Sequence, residues 1–147
     1  MTVTTIKQAD FTLSLPGSWQ SASAAGPDLW QYTSETGAEQ LSVSIHVSRT
    51  PIDVAERPGL LKEFQAMRLN TERGRIAEPS QHPLRDTCIG MYSGVDEESQ
   101  RRFSNLTIVN SEVIANFYYE ALDMTQGDFV ERSASVLKGV ALVSVDA

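Results

Sequence analysis

The stretch Arg101-Arg-Phe-Ser-Asn-Leu-Thr-Ile-Val-Asn-Ser-Glu-Val-Ile-Ala-Asn-Phe-Tyr-Tyr-Glu-Ala-Leu122 decides the fold. From Arg102 to Val109, and again from Val113 to Leu122, polar residues interrupt β-branched and aromatic ones at alternate positions, the pattern of two strands. Asn110-Ser111 is the turn signal between them. A two-residue loop there sets Val109 opposite Glu112. It also pairs Arg101 with Glu120, Phe103 with Tyr118, Asn105 with Asn116 and Thr107 with Ile114. One face of this hairpin then carries Leu106, Ile108, Val113, Ala115 and Phe117, with Arg102 and Tyr119 further out, and should meet the core. The other face is polar, with one aromatic and one opposite-charge pair, each worth roughly 0.2–1 kcal/mol when directly opposed, and should face outward. A one-residue slip would exchange the two faces.

Upstream, Phe11, Leu13 and Leu15 alternate with Thr12 and Ser14 in a first strand that Pro16-Gly17 stops, and Trp19 should pack over the end of the core. Ser21 to Asp28 reads as a loop through Gly26-Pro27, and Leu29 to Thr33 as a second strand. Gln40 to Ser48 has the cleanest alternation, with Leu41, Val43, Ile45 and Val47 on one side and Ser42, Ser44, His46 and Ser48 on the other. Asp53 and Glu56 then have capping-box spacing, and Pro58 fits only near a helix start. Leu60, Leu61, Phe64, Met67 and Arg68 follow the 3.6-residue period of a helix that Gly74 stops. Glu78 to Pro83 reads as a loop, Arg85 to Ser93 as a fourth strand, and Asp96-Glu97-Glu98 as an acidic connection into the hairpin. Thr125 and Asp128 can cap a last helix with a stripe of Phe129, Val130, Ser133, Val136, Leu137 and Val140. Ala141 to Val145 suits either its continuation or a strand.

The element order is βββαβββα. Connections this short demand antiparallel neighbours, and two amphipathic helices must cover sheet surface. The expectation is an α+β sandwich, one domain over residues 1–147, with Leu41, Val43, Ile45, Leu106, Ile108, Phe117, Phe64 and Leu137 in one core.

A chain of 147 residues can bury about 68–70% of its unfolded surface in one core, so stability requires no disulfide or metal. Cys88 is the only cysteine, which rules out an internal disulfide, and a small buried hydrophobe is its ordinary role. Twelve basic against nineteen acidic side chains give 12 − 19 = −7. That balance argues against nucleic-acid binding, which needs clustered Lys and Arg, and suits a partner with a basic surface. No stretch approaches a membrane span, and Met1 to Phe11 lacks both a basic leader and an apolar run, so a cytoplasmic protein is expected. His46 and His82 have no ligand-spaced companions and Gly-rich phosphate loops are absent; an enzyme using Cys88 with His46, or the carboxylates of Asp96, Glu97 and Glu98, is a remote third reading. The expectation is a non-enzymatic protein without a metal or cofactor.

The segment Phe11-Thr-Leu-Ser-Leu-Pro-Gly-Ser-Trp19 resembles the F-x-L-x-x-P-x-x-W opening of the PsbP-like sandwich proteins, a group that includes DcrB-like and bacterial effector-associated proteins. The βββαβββα order agrees over almost the whole chain. The resemblance implies a PsbP-like sandwich that binds other proteins and has no shared catalytic residues to carry over. Among such relatives are immunity proteins that neutralise toxins and small chaperones of secreted toxins. The leading expectation is therefore an immunity protein against a bacterial toxin, for example a basic nuclease effector of a type VI secretion system. The alternative is a cytoplasmic chaperone or adaptor for a secreted effector. Such chaperones hold apolar segments on an apolar concave sheet, whereas the equivalent surface here includes Ser42, Ser44, His46, Asn105 and Asn116. The outward hairpin face and the acidic connection form the expected partner site: Asp96, Glu97, Glu98, Arg101, Phe103, Asn105, Asn116, Tyr118 and Glu120. A helix or a second copy of the chain could instead cover that face.

Overall fold

The alternating segments at 40–48 and 101–122 form the centre of an eight-stranded antiparallel sheet. The computed structural model describes residues 2–22, 28–84 and 86–143; the Gly26-Pro27 turn, Arg85 and the segment 144–147 lie outside them. In chain order the elements are β1 (Val3–Lys7), β2 (Phe11–Pro16), β3 (Trp19–Ser21), β4 (Leu29–Ser34), β5 (Glu39–Val47), α1 (Arg57–Leu69), β6 (Arg75–Ile76), β7 (Ser80–Leu84), β8 (Thr87–Asp96), β9 (Arg101–Val109), β10 (Val113–Leu122), α2 (Gln126–Lys138) and β11 (Val140–Leu142). The large sheet runs β3-β4-β5-β10-β9-β8-β6, with β7 also paired to β8, and a small sheet runs β1-β2-β11. The fold is α+β, as expected, and the βββαβββα frame gains short flanking strands.

Two of these settle ambiguous stretches. Ser80–Leu84, most of it within the loop expected from Glu78 to Pro83, pairs with β8 at the sheet's edge, where a proline is tolerated. Val140–Leu142 leaves α2 and pairs with β2 as a strand. The switch occurs at Gly139, where a Cβ would lie 1.9 Å from the Ser14 carbonyl oxygen, so only glycine lets the two backbones meet.

The central hairpin differs from its expected register. Val109 pairs with Ile114, not Glu112. The Asn110 side-chain oxygen accepts from the backbone N–H groups of Glu112 and Val113 at 2.8 and 2.9 Å, which closes a loop running from Asn110 to Val113. This displaces the ladder by two residues, an even number, so both faces keep their side chains. Phe103 and Tyr118 still stack, now diagonally, with centroids 6.0 Å apart.

The apolar face meets the core as expected. Leu41, Val43, Ile45, Leu106 and Phe117 pack with Phe11, Leu13 and Leu15 of β2 and with Phe129, Val136 and Leu137 of α2, and Ile108 borders them. Phe64 is a correction: it sits on α1, across the sheet, with its ring edge-on to His46. A buried clamp fixes this side. Arg132 of α2 donates to both oxygens of Glu39 at 2.7 and 3.1 Å and to the Pro16 carbonyl at 3.0 Å, while the Tyr119 hydroxyl donates to Glu39 at 2.6 Å. Burial alone would raise the Glu39 carboxyl, but the bonds from Arg132 and Tyr119 and the Arg132 charge outweigh it and hold the group below its ordinary range.

The second face is not outward. α1 lies across it, and Phe103, Asn105, Thr107, Asn116 and Tyr118 are buried. Its polar groups satisfy one another. The Asn105 and Asn116 amides exchange two hydrogen bonds of 2.9 Å, and the Thr107 hydroxyl donates to Asn116 at 2.7 Å. The buried positions of α1 are accordingly Arg57, Leu61 and Gln65, and Met67 of the expected stripe is exposed. Arg57 donates to the Ile52 carbonyl and Gln65 to the Ser80 and Met91 carbonyls, so a partly polar helix suits a polar floor. α1 begins without a side-chain cap, Glu56 standing at that position, whereas Thr125 caps α2 by accepting from the Asp128 N–H, as expected.

Two predictions follow from this packing. Phe117, wholly buried, should cost about 3–5 kcal/mol when truncated to alanine, read by urea unfolding. Because the folded Glu39 carboxyl lies below its unfolded value, its stabilisation is fully present above about pH 4.3 and is lost as pH falls through the folded value. Glu39→Gln should be less stable at neutral pH yet lose less stability than the parent between pH 6 and pH 3; equal losses would show that the clamp does not drive acid unfolding.

Candidate functional site

The three-stranded sheet and α2 share one face of the large sheet, and α2 does not reach its far flank. Beyond it, the same face of β8 and β9 stays open as a cleft of about 710 Å³. Ile89, Met91 and Val95 of β8 and Leu106 of β9 form the floor, Ile76 and Ala77 one wall, and Phe129, Val130, Ala134 and Leu137 of α2 the other. Met91 and Val130 are among the large hydrophobic residues left exposed, Val130 at 56%. The α2 stripe read from the sequence is therefore real but not wholly covered: Phe129, Ser133, Val136 and Leu137 are buried, Val140 packs on the core from β11, and Val130 lines the cleft.

The rim is charged. Arg75 and Arg102 flank one end, where β6, β8 and β9 run side by side, and Lys138 stands at the C-terminal end of α2. Arg75 is ion-paired with Glu97, both side chains being largely exposed. Arg102 donates to the Met124 carbonyl at 2.9 Å and to the Gln126 side chain, tying β9 to the start of α2.

Glu97 and Glu98 do stand in the exposed β8–β9 turn, with the half-buried Asp96 ending β8 opposite Arg101, and the Arg75–Glu97 pair brings the turn to the mouth of this cleft. Arg101 and Glu120 remain partly exposed and bonded at 2.9 Å, although Arg101 is laddered to Leu122. Phe103, Asn105, Asn116 and Tyr118 are corrections to the expected binding face. They are sealed beneath α1, because the polar ones pair with each other and the rings pack against Tyr92, Leu69 and Ile76.

At the edge of that buried face lies a second charged cluster. The Glu72 carboxylate accepts from the Tyr92 hydroxyl at 2.5 Å and the Tyr118 hydroxyl at 2.8 Å, and Arg101 donates to Tyr118 at 2.7 Å. Burial, reinforced by Glu72, pushes both phenols above their ordinary range, so they stay neutral donors to a carboxylate. Arg68 lies over the Tyr118 ring, 5.1 Å from its centroid. Among the described residues the Arg68 Nε is the one fully buried side-chain polar atom without a hydrogen-bond partner. The cluster staples the end of α1 to the sheet.

Among the described residues no group of three His, Cys, Asp or Glu side chains could hold a metal ion; Cys88 is buried, His46 is exposed three strands away on β5, and His82 is exposed on the adjacent strand β7, laddered to Ile89. No helix among the described residues is long and apolar enough to cross a membrane. The cleft offers an open apolar surface among the described residues. Sequence reading passed over it because its walls come from residues 75 to 138. One signal was available: β8 is apolar at Ile89, Met91 and Val95 as well as at Cys88 and Tyr92, so it has two faces to cover.

No family model and no curated protein matches the sequence. Solved structures do. The chain is similar to cyanobacterial PsbP (CyanoP) from Synechocystis sp. PCC 6803, with a TM-score of 0.66 and 10% identity over 96% of this chain and 92% of that one. The fold is PsbP-like. It is also similar to LpqN, involved in cell envelope biogenesis of Mycobacterium tuberculosis (TM-score 0.56, 14% identity, 97% and 91% covered). The Saccharomyces cerevisiae Ran-binding protein Mog1p gives a TM-score of 0.52 at 7% identity, with 98% and 97% covered. The opening Phe11–Trp19 resemblance therefore pointed to the right fold.

If the Glu72 cluster is a staple, Tyr118→Phe should cost about 1–3 kcal/mol, since it removes a hydrogen bond to a charged group. Hydrogen exchange should then quicken in α1 before the rest of the sheet; uniform quickening would refute a local role.

Proposed function

We propose that this chain is a non-enzymatic protein-binding module and that the cleft between α2 and β8–β9 seats an apolar segment of its partner. The observation that carries this is the open apolar floor and walls with exposed Met91 and Val130, a kind of surface that soluble proteins rarely leave bare without a binding role. The likeness to the Ran-binding protein Mog1p supports the same class of role.

The finer reading is an immunity protein that binds and neutralises a bacterial toxin, such as an effector of a secretion system, in the cytoplasm. The net charge of −7 and the acidic end of β8, with Glu97 and Glu98 exposed in the turn beside Asp96, favour a cationic toxin, for example a basic nuclease, whose approach they would accelerate. A chaperone or adaptor for a secreted effector is the second reading, and the apolar lining of the cleft favours it. The polar Ser42, Ser44, Asn105 and Asn116 surface no longer counts against that role, because the cleft is on the opposite face.

Co-expression with the product of the neighbouring gene separates the two. An immunity protein restores growth to cells making the isolated toxin domain; a chaperone raises the amount of intact effector instead. Val130→Asp, at an exposed position where stability should change by about 0.5 kcal/mol or less, should abolish either effect. Full rescue by the Val130→Asp protein would remove the cleft from the mechanism.

A further inference from the structure

The cleft's sign of charge is opposite to that of the chain. Nineteen acidic residues outnumber twelve basic ones overall, yet Arg75, Arg102 and Lys138 line the cleft and no described lining residue is Asp or Glu. The basic groups stand at both ends of an apolar trough. Lys138 has no ion pair among the described residues, and the exposed Arg75–Glu97 pair is of the kind worth about 0–1 kcal/mol, so a partner carboxylate can exchange into it.

The shape selects a helix. α2 presents Gln126, Phe129, Val130, Ser133, Ala134, Leu137 and Lys138 to the cleft, one ridge along its whole 13-residue length, about 20 Å at 1.5 Å per residue. Small residues, Ser133 and Ala134, occupy the middle of that ridge, where a neighbouring helix would approach to about 8–10 Å. Strand addition has little of β8 to join, since β7 already pairs with residues 87–91 of its outer edge and β6 with residues 94–95. The uncovered face of β8 is the place where a second helix beside α2 would complete the layer.

We propose that the occupant of the cleft is an amphipathic helix of the partner protein carrying carboxylates beside its apolar stripe. This rests on the cleft being the docking site. The partner's overall charge is a separate quantity, because the long-range field of this chain is negative while the contact made at the cleft rim is with cations.

The test uses three synthetic peptides of α2's length with leucine at i, i+3, i+4 and i+7 and a polar face of Glu, Gln or Lys. Binding to the full chain is followed by fluorescence anisotropy, with dodecanoate as a small amphiphile for comparison. The Glu peptide should bind at least about tenfold more tightly than the Lys peptide at low salt, with the ratio shrinking toward one at high salt. Arg75→Gln with Lys138→Gln should bring the Glu peptide down to the affinity of the Gln peptide and leave the Gln peptide unchanged. Val130→Asp should weaken all three. Equal affinities of the Glu and Lys peptides, with Val130→Asp still abolishing both, would sink the acidic helix and spare the docking site. Peptide binding that Val130→Asp does not touch would sink the docking site as well. Binding of dodecanoate alone, or of no probe at all, would overturn the inference.

Discussion

The architecture depends on polar satisfaction beneath α1. A sheet face bearing Asn105, Thr107 and Asn116 can be buried only if each amide and hydroxyl finds a partner, because an orphaned group there costs roughly 1–3 kcal/mol. The reciprocal Asn105–Asn116 bonds and the Thr107 bond meet that condition within the sheet itself. α1 therefore needs to bring no exact counterpart, only a surface that excludes water and serves the remaining edges, as Gln65 and Arg57 do. Satisfied networks of this kind also favour one arrangement over its neighbours: a slip of the hairpin would separate the two amides. The register is thus held by the Asn110 turn at one end and by the amide pair in the middle.

This explains what could be read from the sequence and what could not. The period-two pattern of Gln40–Ser48 and of the hairpin specified the sheet, and the even displacement of the ladder left each residue on its expected face. What misled was equating polarity with exposure. Phe103 and Tyr118 looked like an outward aromatic pair because Asn105 and Asn116 lay beside them, yet those amides needed no water. Phe64 was placed in the wrong layer for a related reason: periodicity tells which residues of a helix share a side, not which side of the sheet the helix lies on. The opening Phe11–Trp19 motif, by contrast, reads correctly because it is local, with the Trp19 indole donating to the Pro16 carbonyl three residues away. The cleft was illegible because it exists only where β6, β8, β9 and α2 converge and fail to close.

The two faces of the sheet consequently divide the work. On one, α1 seals a network whose donors are nearly all spent, which leaves little capacity to recognise anything else. On the other, the Glu39–Arg132–Tyr119 clamp locks α2 to β5 and β2 at one end of the sheet. A helix anchored on that side cannot also cover β8, so the position of the clamp determines that the opposite flank stays open. The open cleft is in this sense a consequence of where α2 is tied down. A PsbP-like fold by itself does not assign a partner, since function resides in sites that a fold merely positions. Here the site is defined by what α2 leaves bare: an apolar trough with cations at both ends, set in a chain whose remaining surface is predominantly acidic. For a partner of the proposed kind, approach is governed by that surface and contact by a trough of the opposite sign. Discrimination between partners can therefore arise from the mismatch between long-range field and local contact, without any single residue acting as a selectivity switch.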